Sequence, residues 1–196
     1  GAYVQMPRDA MLAVIRIEAA RAGATVVGED LGNIPDGLQG ALAEAGILGC
    51  RLLQFERDTP PEAYPAPTLA AFGTHDLPTF AGWADGGDIR ARHAIGRIGD
   101  DSLATGLADR AKDAQAFAGA AGGNDVAAMH GLLARTGSAL VAVQAEDVLG
   151  VADQTNLPGT IDDYPNWRRK LPVAGDALGT DLRMLTVART MRAAGR

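Results

Sequence analysis

The sequence predicts an α/β fold, specifically the carboxyl-terminal half of a (β/α)8 TIM barrel with a helical insertion. Three observations carry this. Short apolar runs of strand character alternate with helix-forming stretches, which implies parallel strands joined by right-handed crossovers. Each run ends on acidic or imidazole-bearing residues, at the strand ends where a barrel assembles its site. Neither GxGxxG nor GxxxxGK[ST] occurs to mark the first turn of a doubly wound nucleotide-binding sheet. Four such runs are visible, half of eight, and residues 1–7 lead into a helix without an initiator methionine, so the other half of the barrel is expected upstream of Gly1.

The elements follow in order. Met11, Leu12, Val14, Ile15, Ile17 and Ala19 recur at spacings of three and four and predict an amphipathic helix over residues 8–22, with Pro7 at its start and Gly23 as its stop. Residues 24–28 form a first strand that ends at Glu29-Asp30-Leu31-Gly32. A helix from Pro35 to about Ala45, closed by Gly46, leads to a second strand over 50–56 ending at Glu56. After a proline-rich connection, residues 68–73 form a third strand that ends at Thr74-His75-Asp76. Residues 139–144 form a fourth, before Glu146-Asp147. The stretch at about 88–135 is rich in alanine and glycine, too long for an ordinary βα connection, and predicts helices with mobile joints, as an insertion or a lid. Residues 156–171 are irregular, and 178–194 form a closing helix. The expected division is therefore a half barrel over 1–173 and a carboxyl-terminal helix over 174–196.

Composition narrows the function. Apolar residues make up 47% and charged residues 21% of 196, a globular balance. A net charge of -6, with 18 scattered Lys and Arg, leaves no electrostatic footprint for nucleic acid. One cysteine, Cys50, rules out an internal disulfide, and three separated histidines argue against a zinc site, so no metal is expected. No apolar run reaches the roughly 20 residues needed to span a bilayer, so no membrane partner is expected and the default compartment is cytoplasmic and reducing.

Glu29 leaves an apolar strand at the rim. A carboxylic acid partly enclosed there has its charged form disfavoured, which suits a proton donor; the alternative is a carboxylate paired with an arginine inside the barrel. His75 and Asp76 place a second carboxylate beside an imidazole, able to stabilise an oxocarbenium ion and to hydrogen-bond sugar hydroxyls. Equally, Asp76 could cap a helix and His75 could be a packing residue. Asp30 and Asp147 read first as loop or cap residues. Phe55, Tyr64, Trp83, Tyr164 and Trp167 are either sugar platforms or core, Trp167 having the most polar context. His93 and His130 receive no role.

Three strings, Gly28-Glu29-Asp30-Leu31-Gly32, Gly73-Thr74-His75-Asp76-Leu77-Pro78-Thr79 and Asn156-Leu157-Pro158-Gly159-Thr160, the last followed by Asn166-Trp167-Arg168-Arg169-Lys170-Leu171, occur in an order that resembles the amylomaltases, the 4-alpha-glucanotransferases of bacterial maltodextrin metabolism. The resemblance runs from residue 1 to about 171. It implies a cofactor-free retaining transfer of α-1,4-glucan segments, with maltodextrin as partner, Glu29 as general acid/base and Asp76 as transition-state stabiliser. It further implies that His75 binds sugar hydroxyls, that Phe55 lies near the glucan path and that Asn156 borders the cleft. The family nucleophile belongs to an Arg-hydrophobic-Asp-His string, which is absent from the 196 residues. The chain alone is therefore expected to be inactive and, with open sheet edges, prone to self-association. The rivals are an amylase-like hydrolase with water as acceptor and a non-catalytic glucan-binding half barrel.

Overall fold

The computed structural model describes residues 4–196; Gly1, Ala2 and Tyr3 of the expected helix entry lie outside the described residues. Helix α1 (Arg8–Ala22) runs as the apolar spacing predicts. It ends where Gly23 takes φ +60°, a left-handed conformation open to glycine without a Cβ penalty, and its N–H bonds back to the last turn. None of its residues is buried: Met11, Val14, Ile15 and Ile17 stand exposed along its apolar face.

Helix α2 (Leu38–Glu44) precedes β1 (Gly49–Leu52). β2 (Thr68–Ala71) and β3 (Leu140–Val141) complete a parallel sheet in the order β1-β2-β3. Cys50 is in register with Leu69, and Leu69 in turn with Leu140. The expected first strand is reduced to one parallel bridge, Val27 to Leu48, closed by bonds from the Gly28 N–H to the Leu48 carbonyl (2.7 Å) and from the Leu48 N–H to the Val26 carbonyl (3.0 Å). It lies at the sheet edge and pairs on one side only among the described residues, which accounts for its shortness. All four runs thus lie side by side in chain order and parallel, a small α/β sheet.

Helices α3 (Phe80–Asp85), α4 (Gly87–Ala94), α5 (Asp100–Ala121) and α6 (Val126–Ala134) fill the long stretch between β2 and β3. They form a packed layer rather than a lid. Phe72 at the end of β2 meets Phe80, Trp83 and Phe117 edge-on at centroid distances of 5.2, 5.7 and 5.9 Å, a geometry the ring quadrupoles favour. Met129, Leu132 and Leu133 of α6 close the same core. Arg110 of α5 grips Asp88 with two bonds of 2.8 and 3.2 Å, donates to the Trp83 carbonyl and lies over the Trp83 ring, so the expected mobile joints are tied by a half-hidden ion pair. After the short helix α7 (Ala145–Val148), α8 (Leu182–Ala193) docks on this core through Met191, and Arg196 donates to the carbonyls of Ala134, Thr136 and Ser138.

Candidate active site

Parallel pairing puts the carboxyl ends of all four runs on one edge of the sheet, and polar side chains tie each end to the next. Asp30 turns inward: its Oδ1 accepts the Cys50 N–H at 2.6 Å and its Oδ2 lies 3.4 Å from the Arg51 guanidinium, which also reaches Glu56 at 3.5 Å. Asp30 is therefore a structural anchor between the first run and β1. Glu29, one residue earlier, turns outward and is exposed, with no hydrogen bond or ion pair among the described residues. The apolar enclosure expected around it is not built by these strands. Its charge is nevertheless felt at β1, where burial first, then Asp30 and Glu29, push the Cys50 thiol pKa up.

The loop carrying His75 and Asp76 is held at both ends by its neighbours. Gln144, past the end of β3, accepts the Gly73 N–H at 3.3 Å, and the buried Gln54, past the end of β1, donates to the Pro78 carbonyl at 3.0 Å. A Cβ on Gly73 would stand 2.6 Å from the Gln54 amide nitrogen, so only glycine allows this approach. One residue beyond the loop, Asp147 accepts the Phe80 N–H at 2.6 Å at the start of α3, while the Thr79 hydroxyl caps α3 and donates to Val151. Asp147 is 1% exposed, and burial pushes its carboxyl up to about 7 against the bond from Phe80. Gln54 and Gln144 were not marked by any motif; the signal available was a polar residue closing an apolar run, which a buried strand end must pair.

At the centre of this edge Asp76 is half-buried. Its Oδ1 accepts a 2.6 Å bond from the Asn156 amide and lies 3.4 Å from His75 Nε2. The His75 ring in turn rests 5.3 Å from the Trp167 ring. Residues from two separate stretches therefore meet around one carboxylate. Phe55 and Trp167 remain 56% and 62% exposed, whereas Tyr64, Trp83 and Tyr164 are buried, so the platform reading survives for the first pair and core packing holds for the other three. Trp167 has φ +59°, the one non-glycine with positive φ among the described residues, a strained conformation for a bulky side chain. His130 is buried in α6, bonding the Val126 carbonyl, and His93 pairs with Asp100. Among the described residues no cluster of His, Cys, Asp and Glu could hold a metal ion, and no helix is long and apolar enough to cross a membrane.

These features define the chain as a parallel α/β protein whose carboxylates, imidazole and exposed aromatics collect at the carboxyl ends of its strands. Comparison with known proteins names the family. The family model described as 4-alpha-glucanotransferase matches residues 1–174, and the chain belongs to that family. The 4-alpha-glucanotransferase of Mycobacterium tuberculosis (strain H37Rv) is 37% identical over 221 aligned positions, covering 99% of this chain and 30% of the relative. That of Haemophilus influenzae is 30% identical, over 87% of this chain and 28% of the relative. Among solved structures, amylomaltase from Corynebacterium glutamicum superposes with a TM-score of 0.85 at 31% identity, covering 96% of this chain and 32% of that one. Amylomaltase from Streptococcus agalactiae, solved in complex with acarbose, shares the fold at a TM-score of 0.64 and 19% identity, over 100% of this chain and 36% of that one. The chain thus spans about 30% of the length of the curated relatives it matches.

Proposed function

We propose that this chain supplies two of the three catalytic carboxylates of a cytoplasmic 4-alpha-glucanotransferase and forms the carboxyl-terminal half of its (β/α)8 barrel. In this reading residues 1–173 are the half barrel, 88–135 its helical insertion and 174–196 the closing helix. The observation that carries it is the meeting of Asp76, His75, Asn156 and Trp167 at the strand-end edge that also presents Glu29. Glu29 protonates the glycosidic oxygen of a bound maltodextrin as an upstream Asp attacks the anomeric carbon. Asp76 stabilises the oxocarbenium-like transition state between them. Glu29 then takes the proton from the 4-hydroxyl of an acceptor glucan, which displaces the enzyme carboxylate and completes the transfer.

The third carboxylate comes from outside this chain, because no Arg-hydrophobic-Asp-His string is present in it. The uncovered apolar face of α1 supports the same reading, as the surface on which the missing barrel half packs. The test is maltotriose disproportionation by the chain continued upstream to family length, beside the 196 residues alone. Glucose together with longer maltodextrins is expected from the long form, and no turnover from the short one. Turnover by the short chain would mean that one of its own carboxylates is the nucleophile. Glucose and maltose without longer products would point to hydrolysis, and binding without turnover to a glucan-binding half barrel.

Phe55 and Trp167 serve as platforms for apolar sugar faces. Trp167 shows how far function overrides local preference, since its backbone conformation suits glycine. Trp167→Gly is expected to keep or raise the melting temperature, because strain of about 1 kcal/mol is released, while KM for maltotriose rises by roughly 3–10-fold as the stacking surface is lost. A fall in stability with KM unchanged would make Trp167 a packing residue only.

A further inference from the structure

The stretch from Gln154 to Trp167 has no helix or strand, yet nearly every turn of it is fixed. The buried Gln154 donates to the Asn156 carbonyl at 2.5 Å, and its own carbonyl accepts the Tyr164 hydroxyl at 2.9 Å. Asn166 takes the Leu157 N–H at 2.8 Å and donates to the Thr160 hydroxyl at 2.8 Å, and that hydroxyl donates to the Leu157 carbonyl at 2.7 Å. The Trp167 N–H closes the loop on the Thr155 carbonyl at 3.0 Å. Leu157 is buried beneath it. The backbone on either side of Asn156 is therefore immobilised by side chains that lie within the loop.

What this rigid loop presents is the Asn156 amide, and its target is Asp76. The N–H to Oδ1 distance of 2.6 Å is short for a bond of this kind, and a charged acceptor makes such a bond strong and directional. An N–H committed there is not free for a sugar hydroxyl. Oδ1 also faces His75 Nε2, whereas Oδ2 has no hydrogen-bond partner among the described residues. Held on one side only, the carboxylate keeps Oδ2 open on the other.

We infer that Asn156 is a positioning residue for Asp76: the loop from Gln154 to Trp167 is a clamp that fixes the Asp76 carboxylate through Oδ1 and leaves Oδ2 to face positive charge developing on the substrate. The inference rests on the reading of Asp76 as transition-state stabiliser and assigns Asn156 to that carboxylate instead of to the sugar. A carboxylate free to rotate loses the preorganisation that makes it effective, and displacement of such a group by about 1 Å costs on the order of 10²-fold in rate.

The test uses the enzyme of family length that carries this chain. Asn156→Ala is expected to lower kcat by about 10–100-fold with KM and the maltotriose dissociation constant within about 2-fold of the parent. Asn156→Asp provides a near-isosteric second variant. It puts two carboxylates in contact, which repel when both are ionised and form an O–H to O⁻ bond when they share one proton. Its activity relative to the parent should therefore rise as pH falls. His75 faces the same oxygen in both proteins, so the ratio cancels its contribution; Arg169, just past the loop, is already paired with Asp153 at 2.6 Å.

A raised KM and dissociation constant with kcat retained in Asn156→Ala would make Asn156 a sugar contact and overturn the inference. So would a ratio for Asn156→Asp that does not change with pH. Asp76→Asn separates this failure from that of the underlying reading: if it keeps full kcat, the role of Asp76 itself is wrong. If it is inactive while Asn156→Ala is fully active, only the clamp is lost.

Discussion

In the chain continued upstream to family length, Glu29→Gln is expected to lower kcat for maltotriose disproportionation by roughly 10²–10⁴-fold while leaving folding stability within about 0.5 kcal/mol of the parent. The two halves of this expectation have separate grounds. Glu29 is exposed and makes no hydrogen bond or ion pair among the described residues, so the fold does not depend on its charge. With Glu29 as the proposed general acid the reaction does, because a glucan oxygen leaves poorly without a proton, and glutamine has no acidic proton to give. A donor whose leaving group is a stable phenolate needs less protonation, so the deficit in the first step should shrink with that donor. Asp30→Asn is the matched control. Its side chain bonds the Cys50 N–H and faces Arg51, so stability should fall by about 1–3 kcal/mol, with catalysis altered only as far as the strand end shifts. If Glu29→Gln retained full activity on maltotriose, the general acid would have to be another group.

Glu29 and Asp30 also show where sequence reading stops. Both close the same apolar run, and period-two alternation says that one faces in and one out, but not which. The structure turns Asp30 inward because Gly49 opposite it has no side chain: a Cβ there would lie 3.0 Å from the carboxylate. That vacancy is set by a residue 19 positions away on another strand, beyond the reach of a local pattern. The strand order, α1 and its glycine stop were legible because each depends on local periodicity and on parallel crossovers. The helical layer between β2 and β3 was legible in composition but not in role. Its glycines suggested mobility, whereas Phe117 in the aromatic core and Arg110 on Asp88 bind it tightly. The bond from Asn156 to Asp76 joins residues 80 apart. The third motif marked the segment, yet the partner of its first residue was visible only in three dimensions.

Asp147→Asn should raise stability at neutral and alkaline pH and lower it slightly near pH 4, where only the cost of its unpaired amide is felt. Asp147 lies buried at the start of α3, where desolvation outweighs the bond from the Phe80 N–H, and Glu146 adds a little repulsion, so its pKa rises from 3.8 to about 7. A carboxyl that holds its proton more tightly when folded favours the fold fully below its unfolded pKa. That contribution disappears as pH rises through its folded pKa. The stretch from about 4 to about 7 is then a window in which the unfolded chain releases a proton that the folded chain keeps. Above it the fold carries a buried charge, at a cost on the order of 4 kcal/mol. Asparagine keeps an oxygen for the Phe80 N–H and removes the charge, though its amide nitrogen needs a partner, which offsets about 1–2 kcal/mol. Urea unfolding at pH 4, 6 and 8 should therefore show a difference for Asp147→Asn that rises with pH from a slight loss to a gain of about 2 kcal/mol. A difference that stays constant with pH would mean that Asp147 does not titrate in this window. Because the same oxygen fixes where α3 begins, four residues after Asp76, the parent sacrifices stability at neutral pH for a charged acceptor beside the His75-Asp76 loop.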